Sequence, residues 1–273
     1  MIKTDRKFTL SELEALCKKI IEVTKEAGAF LKKEAQNFDL SKIEYKGSKD
    51  LVSYVDKQSE QMLVKGLREV LPEAGFITEE ATVERSSAIA LQWIIDPLDG
   101  TTNFLHGQPS YSISVALMLN NEIIAGVVYE PNLDECYYAW KQGGAYCNGK
   151  KISASSITEL DKSLIATGFP YSLMGKEDNY FKIMREFVDT THGLRRIGSA
   201  AVDLAYVACG RFEGYYEFNL KIWDIAAGVL LVQEAGGKVT DYSGGNDYLY
   251  GKELLAAGGL HPEMLKVIQN HWR

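Results

Sequence analysis

The sequence predicts a layered α-β-α-β-α sandwich, in which a mostly antiparallel N-terminal sheet carries two helices and a smaller α/β lobe follows. Three patterns indicate this fold: apolar residues recur at helical spacing in the first part, strands joined by tight turns follow, and strands then alternate with helices. We expect lobes at residues 1–156 and 157–273. They are expected to form one catalytic unit, because no Pro- or Ser-rich linker separates them.

The N-terminal part predicts two helices. Ser11 and Glu14 fit a capping box at the start of the first helix. The second is expected to begin near Asp56 and to end before Pro72, with a polar turn at 46–50 between the two. The apolar stripe of the first helix is Leu13, Leu16, Ile20, Val23, Ala27 and Leu31.

A β-rich stretch follows these helices. Asn120-Asn121 is a turn signal between two strand candidates, 111–119 and 122–129, and therefore predicts an antiparallel hairpin. The other strand candidates are Phe76–Thr78, Leu91–Ile95, Glu135–Trp140 and Gly144–Cys147, with a turn at Asn148-Gly149.

In the second half, segments with helical periodicity alternate with strand-like segments. The expected helices are Asn179–Val188, Ala200–Cys209, Ile225–Ala235 and a last helix that opens with Pro262 and ends near Trp272. The expected strands are Phe212–Phe218, Lys238–Asp241 and Leu254–Ala257.

Composition restricts the class of protein. With 46% hydrophobic and 25% charged residues the chain is an ordinary globular protein, and its net charge of −7 argues against a nucleic-acid-binding face. The four cysteines form no CxxC pair, which indicates reduced thiols. No apolar run of about 18 residues or signal-peptide core is present, so we expect a cytoplasmic protein without a membrane partner.

The most informative segment runs from Trp93 to Asn103. A strand of apolar residues leads to Asp96 and Asp99, and Gly100-Thr101 then offers backbone N–H groups where a short helix could begin. Carboxylates suit Mg²⁺, and N–H groups at a helix start suit a phosphate. A metal-dependent phosphate ester hydrolase needs both, although a lone D-x-x-D also fits a solvated turn.

Two further acidic sites strengthen the metal hypothesis. Glu79-Glu80 follows a strand candidate, and Asp224 stands at the predicted start of a helix, where it could equally be an N-cap. Each site alone is weak evidence. Together they predict acidic ligands that emerge from strand ends and a helix start.

Four sequence blocks resemble the inositol monophosphatase family of Mg²⁺-dependent, lithium-sensitive sugar-phosphate phosphatases. They occur in the expected order and extend the resemblance from the first helix to the last. The blocks are Phe76-Ile77-Thr78-Glu79-Glu80, Trp93 to Phe104, Gly198-Ser199-Ala200-Ala201, and Trp223 to Gly228 followed by Glu234-Ala235-Gly236-Gly237.

The resemblance implies two or three Mg²⁺ ions per active site. Glu79, Asp96 and the carbonyl of Leu98 would hold the first ion. Asp96, Asp99 and Asp224 would hold the second, with Asp96 shared between the two. Chemically, two metals held by shared carboxylates can assist both the attacking and the leaving oxygen.

The resemblance also implies roles around the substrate. Thr101, with Glu79, would orient the attacking water, while the N–H groups of Gly100 and Thr101 would bind the phosphate. The polyol would contact Ala200, Glu217 and Asp224, with Asp99 nearby.

Two segments match the family less well. Lys46 is carried over only as an electrostatic helper, and segment 168–178 leaves one side of the pocket without an assigned residue. Family resemblance further implies a homodimer.

The sequence thus predicts a Mg²⁺-dependent phosphatase that releases inorganic phosphate from myo-inositol monophosphates. Glu217 favours a neutral polyol, since a carboxylate repels a second phosphate. The alternatives are another substrate of the same superfamily (fructose-1,6-bisphosphate, adenosine 3′,5′-bisphosphate or NADP) and a non-catalytic regulatory protein built on the same scaffold.

Overall fold

The structure is a computed structural model that describes residues 6–36, 38, 43–45, 51–84, 89–170, 172 and 174–272. Its helices are α1 (Leu10–Ala35), α2 (Tyr54–Val70), α3 (Thr101–Leu105), α4 (Glu177–Thr190), α5 (Ala200–Ala208), α6 (Ile222–Glu234) and α7 (His261–His271). Its strands are β1 (Ile43–Tyr45), β2 (Leu51–Ser53), β3 (Gly75–Thr78), β4 (Leu91–Asp99), β5 (Ser112–Leu119), β6 (Glu122–Glu130), β7 (Glu135–Trp140), β8 (Gly144–Cys147), β9 (Lys150–Ile152), β10 (Leu164–Thr167), β11 (Gly193–Arg195), β12 (Gly214–Phe218), β13 (Lys238–Thr240) and β14 (Glu253–Ala257).

The first large sheet has seven strands in the order β3-β4-β5-β6-β7-β8-β9. Only the β3–β4 pair is parallel, so the sheet is mostly antiparallel, as predicted. The hairpin between β5 and β6 turns at Asn120 and Asn121, both with positive φ, which is the backbone that a two-residue hairpin requires.

The second large sheet has five strands in the order β11-β10-β12-β14-β13. β10 pairs in parallel with β11 and with β12, whereas β14 is antiparallel to both of its neighbours. The parallel strands are linked through α4 and α5, which is the alternation that the sequence indicated.

Helices fill the spaces on both sides of each sheet. α1 and α2 bury their apolar stripes against one face of the first sheet. α5 and α6 pack between the two sheets in a shared core, and α4 and α7 cover the outer face of the second sheet. The five layers α-β-α-β-α confirm the predicted fold class.

The structure corrects the predicted starts of α1 and α6, and both corrections change the capping residues. Thr9 and Glu12, not Ser11 and Glu14, form the capping box of α1, because the preceding Phe8 packs on the same core as Leu13 and fixes an earlier start. α6 begins at Ile222 and not at Ile225, so Asp224 is not its N-cap.

Other differences are small additions. The sequence did not predict the short strands β1, β2, β9, β10 and β11, whose three or four residues give little periodicity. The predicted turn at 46–50 and the role of Lys46 lie outside the described residues.

The four cysteines are free thiols. Within the described ranges, no helix has the length and apolar character needed to cross a bilayer.

Candidate active site

A cavity of about 640 Å³ opens between the two large sheets, beside the N-terminal ends of α5 and α6. It is lined by every site residue that the sequence singled out, from both halves of the chain. These are Glu79, Asp96, Leu98, Asp99, Gly100, Thr101, Ala200, Glu217 and Asp224.

The end of β4 directs two carboxylates into this cavity. The register between β4 and β5 shifts between Asp96 and Asp99, and such an irregularity re-aims side chains that would otherwise alternate across the sheet. The chain then turns at Gly100, where φ is +92° and a Cβ would lie only 3.1–3.3 Å from backbone atoms of three neighbouring residues. Glycine is therefore required at the point where α3 begins.

Asp99 connects β4 to the start of α5. Its Oδ2 accepts hydrogen bonds from the Ser199 hydroxyl at 2.6 Å and from the Ala201 N–H at 2.7 Å. Enclosure nevertheless raises the pKa of Asp99 to about 6, because the loss of solvent outweighs these hydrogen bonds. The first turn of α5 thus fixes the orientation of one carboxylate oxygen.

Asp96 and Asp224 lack comparable compensation. Asp224 lies in the first turn of α6 and accepts one N–H, from Lys221, at 2.7 Å. Burial raises its pKa well above the usual range, and neighbouring Asp99 and Glu79 raise it further. Burial and the same neighbours raise the pKa of Asp96 as well. The cluster therefore carries concentrated negative charge that a cation would stabilise.

The donor set fits a hard metal ion. Four carboxylates and the Leu98 carbonyl are oxygen ligands, which Mg²⁺ prefers to nitrogen or sulfur. Among the described residues no three acidic, histidine or cysteine side chains are already arranged as an assembled metal centre. A bound cation would offset the mutual repulsion and the burial of these carboxylates.

Thr101 is held from below by α2. Its Oγ1 lies 3.0 Å from Asp56 Oδ1 and 3.0 Å from the Leu98 carbonyl oxygen, so one hydroxyl proton faces two acceptors. The hydroxyl and N–H of Ser53 both donate to the other oxygen of Asp56, at 2.7 and 2.8 Å. From the sequence, Asp56 marks only the start of a helix, and its contact with Thr101 is not predicted.

The same helix supports the adjoining loops. The Ser59 hydroxyl donates to the Pro97 carbonyl at 2.9 Å, and Glu60 accepts the N–H groups of Glu80 and Thr82, each at 2.7 Å. These are buried polar residues on a face of α2 that otherwise packs apolar side chains. In the sequence, polar residues on this otherwise apolar helix face were the signal that could have indicated these contacts.

The opposite wall of the cavity comes from the second sheet. Glu217 on β12 is buried and accepts a hydrogen bond from the Tyr215 hydroxyl. Burial raises the pKa of Glu217 to about 7. A Cβ on Gly168 would fall within 1.9–2.2 Å of the Glu217 carboxylate, so only glycine leaves room for it. Segment 168–178, unassigned from sequence, thus contributes Gly168 to the wall.

Comparisons with known proteins agree with this architecture. The inositol monophosphatase family profile matches residues 12–273. A relative from Neisseria meningitidis, named "Putative Nus factor SuhB", is 44% identical over 251 residues, which is 92% of this chain and 96% of that protein. The "Inositol-1-monophosphatase" of Mesorhizobium japonicum is 38% identical over 242 residues, 89% of this chain and 91% of that protein.

A solved structure shows the same fold. The crystal structure of the extragenic suppressor protein SuhB from Bartonella henselae superposes with a TM-score of 0.87 at 37% identity, covering 93% of this chain and 98% of that one. Family profile, relatives and structure each extend over almost the whole chain. The chain therefore belongs to the inositol monophosphatase family of metal-dependent phosphatases.

Proposed function

We propose that the protein hydrolyses myo-inositol monophosphates to inositol and inorganic phosphate with Mg²⁺ as its cofactor. The observation that carries the proposal is the meeting, in one cavity, of an acidic cluster at the end of β4 and a buried carboxylate on the facing wall. The first suits a metal and a phosphate, and the second suits hydroxyl groups. The Mesorhizobium relative named for this activity supports the same assignment.

Five residues would hold the metal. Glu79, Asp96 and the Leu98 carbonyl would bind one Mg²⁺, and Asp96, Asp99 and Asp224 a second; a third ion is compatible with the family. When bound, Mg²⁺ stabilises negative charge on the attacking and leaving oxygens of the phosphate ester. No side-chain nucleophile is then needed.

Thr101 would orient the attacking water. Because its hydroxyl proton faces Asp56 and the Leu98 carbonyl, its oxygen lone pairs are directed toward a water proton. Glu79, on the adjacent strand end, would accept the second hydrogen bond from that water. The N–H groups of Gly100 and Thr101 would bind the phosphate oxygens.

The facing wall would select the polyol. The carboxylates of Glu217 and Asp224 would bind hydroxyl groups next to Ala200, at the cavity surface where α5 begins. The two halves of the chain would act as one catalytic unit. By analogy with the family, the protein would be a cytoplasmic homodimer, and Li⁺ would inhibit it.

A phosphate-release screen tests the proposal. The purified protein is assayed on myo-inositol monophosphates, fructose-1,6-bisphosphate, adenosine 3′,5′-bisphosphate and NADP, each with and without Mg²⁺. The proposal requires the inositol monophosphates to give the highest kcat/KM. A clear preference for a bisphosphate or for NADP would replace inositol by that substrate and leave the phosphatase assignment standing.

A second candidate function is favoured by the relatives named as Nus factors, one of which is 44% identical to this chain. Such a role would not require catalysis. In a strain of the source organism that lacks the gene, wild type and Asp224→Asn should be compared for rescue of growth. Full rescue by the inactive variant would support a non-catalytic role, whereas rescue by wild type alone would support the enzyme.

A further inference from the structure

Asp203 is a cavity residue that none of the sequence motifs singled out. It lies three residues after Ala200 in α5, and residues at this spacing share one face of a helix. Both side chains line the cavity. Asp203 therefore extends the surface that Ala200 contributes to the cavity, which Glu217 also lines.

The carboxyl group of Asp203 is only 1% exposed, and its Oδ1 has no hydrogen-bond partner among the described residues. A buried polar atom without a hydrogen-bond partner destabilises the folded state. By contrast, the buried Asp56 has both oxygens bonded, by Thr101 and Ser53. The unmet capacity of Asp203, in a residue that lines a cavity, points to a group supplied by a ligand.

The surroundings define the chemistry of that group. Burial is the main cause of the raised pKa of Asp203; Glu217 and Asp99 raise it further, whereas Arg196 lowers it. The two carboxylates therefore lie close enough to Asp203 to add negative potential. Arg196 is at the exposed rim, where its guanidinium stacks 5.5 Å from the ring centroid of Phe169. A phosphate group beside Asp203 would be repelled by these neighbouring carboxylates. A neutral hydroxyl would not be repelled.

A carboxyl group can bond a hydroxyl in either protonation state, as acceptor when ionised and as donor and acceptor when neutral. We propose that Asp203 is a specificity-determining residue that hydrogen-bonds a hydroxyl of the substrate's polyol half, next to the hydroxyl bound by Glu217. This inference rests on the proposed function and extends it. The substrate class is then a monophosphate ester of a polyol with at least two neighbouring free hydroxyls.

Three variants test the contact: Asp203→Ala, which removes the polar group, Asp203→Asn, which keeps hydrogen bonding, and Asp161→Ala, a matched change at an exposed site outside the cavity. We expect Asp203→Ala to lower kcat/KM for myo-inositol monophosphate about 10-fold or more, mainly through KM. Asp203→Asn should recover most of the loss. All three should hydrolyse a simple aryl phosphate at the wild-type rate.

Deoxy analogues of inositol monophosphate locate the contact. For one analogue, the ratio between wild type and Asp203→Ala should fall to about 1, because the hydroxyl that Asp203 binds is already missing. Equal ratios for every analogue would overturn the inference, as would an equal loss on aryl phosphate. Should Asp203→Ala not fold, Asp203→Ser is carried through the same series.

The two proposals fail differently. If wild type hydrolyses inositol monophosphate but Asp203→Ala keeps the wild-type preference over aryl phosphate, Asp203 is not a specificity residue and the proposed function stands. If wild type hydrolyses aryl phosphate and no polyol phosphate, both the proposed substrate and the Asp203 contact are wrong.

Discussion

The two walls of the cavity are built in different ways. The wall from the first sheet takes most of its functional groups from one continuous segment, residues 96–101. In this segment a register shift and a glycine with positive φ orient the side chains and the backbone. The wall from the second sheet combines Gly168, Ala200, Asp203 and Glu217, which lie far apart in sequence. The proposed function assigns the chemistry common to all phosphate esters to the first wall and recognition of the alcohol to the second.

Buried acids in the two settings also differ. On α2, Asp56 and Glu60 are supplied with N–H and O–H donors and serve to hold neighbouring loops. In the cavity, Asp96 and Asp224 are surrounded by other carboxylates. Burial of an acid is therefore not sufficient to indicate a ligand. The donors around Asp56 and Glu60 account for the burial of these two acids, whereas the donors around Asp96 and Asp224 do not account for theirs.

Removal of the metal should have the largest effect. In excess EDTA, activity toward both inositol and aryl phosphates should disappear, and added Mg²⁺ should restore it, since the acidic cluster lacks its cation. Ca²⁺ and Li⁺ should inhibit. Phosphate release in chelator is the measurement, and full turnover under those conditions would exclude the metal from the reaction.

Loss of the Thr101 hydroxyl should come next. Thr101→Ala is expected to lower kcat by about 10²–10⁴-fold for both substrates, with little change in KM, because the positioned water loses its partner. Thr158→Ala removes a hydroxyl at an exposed site outside the cavity and serves as the control. Thr101→Ser should recover much of the rate. An unchanged kcat in folded Thr101→Ala would remove this residue from the chemical step.

Gly168→Ala probes the other wall without substituting a charged residue. The added Cβ would displace the Glu217 carboxylate, so kcat/KM for inositol monophosphate should fall about 10–100-fold while aryl phosphate turnover stays within about twofold. Steady-state kinetics on the two substrates give the answer. Equal losses on both would show that the two walls do not have separate roles.

Acid stability should depend on a residue remote from both walls. Burial, and secondarily Lys238, lower the pKa of His261 from 6.5 to about 4. The folded protein keeps His261 neutral at pH values at which the unfolded chain protonates it. The contribution of His261 to the free energy of unfolding is therefore complete above pH 6.5 and is lost as the pH falls toward 4. Between pH 7 and pH 5 wild type should lose about 2 kcal/mol more than His261→Gln in urea unfolding. Parallel pH dependences would contradict this.

The sequence predicted that the residues of the first wall lie together, because the information for this part of the cavity is local. Asp96, Asp99, Gly100 and Thr101 lie within six residues, and their chemistry follows from residue type and the adjoining strand. The layered fold was predicted as well, because long amphipathic helices and an Asn-Asn hairpin have strong periodic signals.

The second wall depends on pairings that no local pattern encodes. Gly168 is required only because β10 pairs beside β12 and brings it against Glu217. Asp203 becomes notable only when its burial and unpartnered oxygen are known. The contact between Asp56 and Thr101 likewise joins residues 45 positions apart.

The division between the two walls is tested most directly by kcat/KM for myo-inositol monophosphate and for an aryl phosphate in Asp224→Asn and Glu217→Gln. Asp224→Asn should abolish turnover of both substrates, because it removes the negative charge of a proposed metal ligand. Glu217→Gln should raise KM for inositol monophosphate, a loss of roughly 1–3 kcal/mol, and leave aryl phosphate almost unchanged. If Glu217→Gln reduces both substrates equally, Glu217 is not a polyol contact and the separation of chemistry from recognition is wrong.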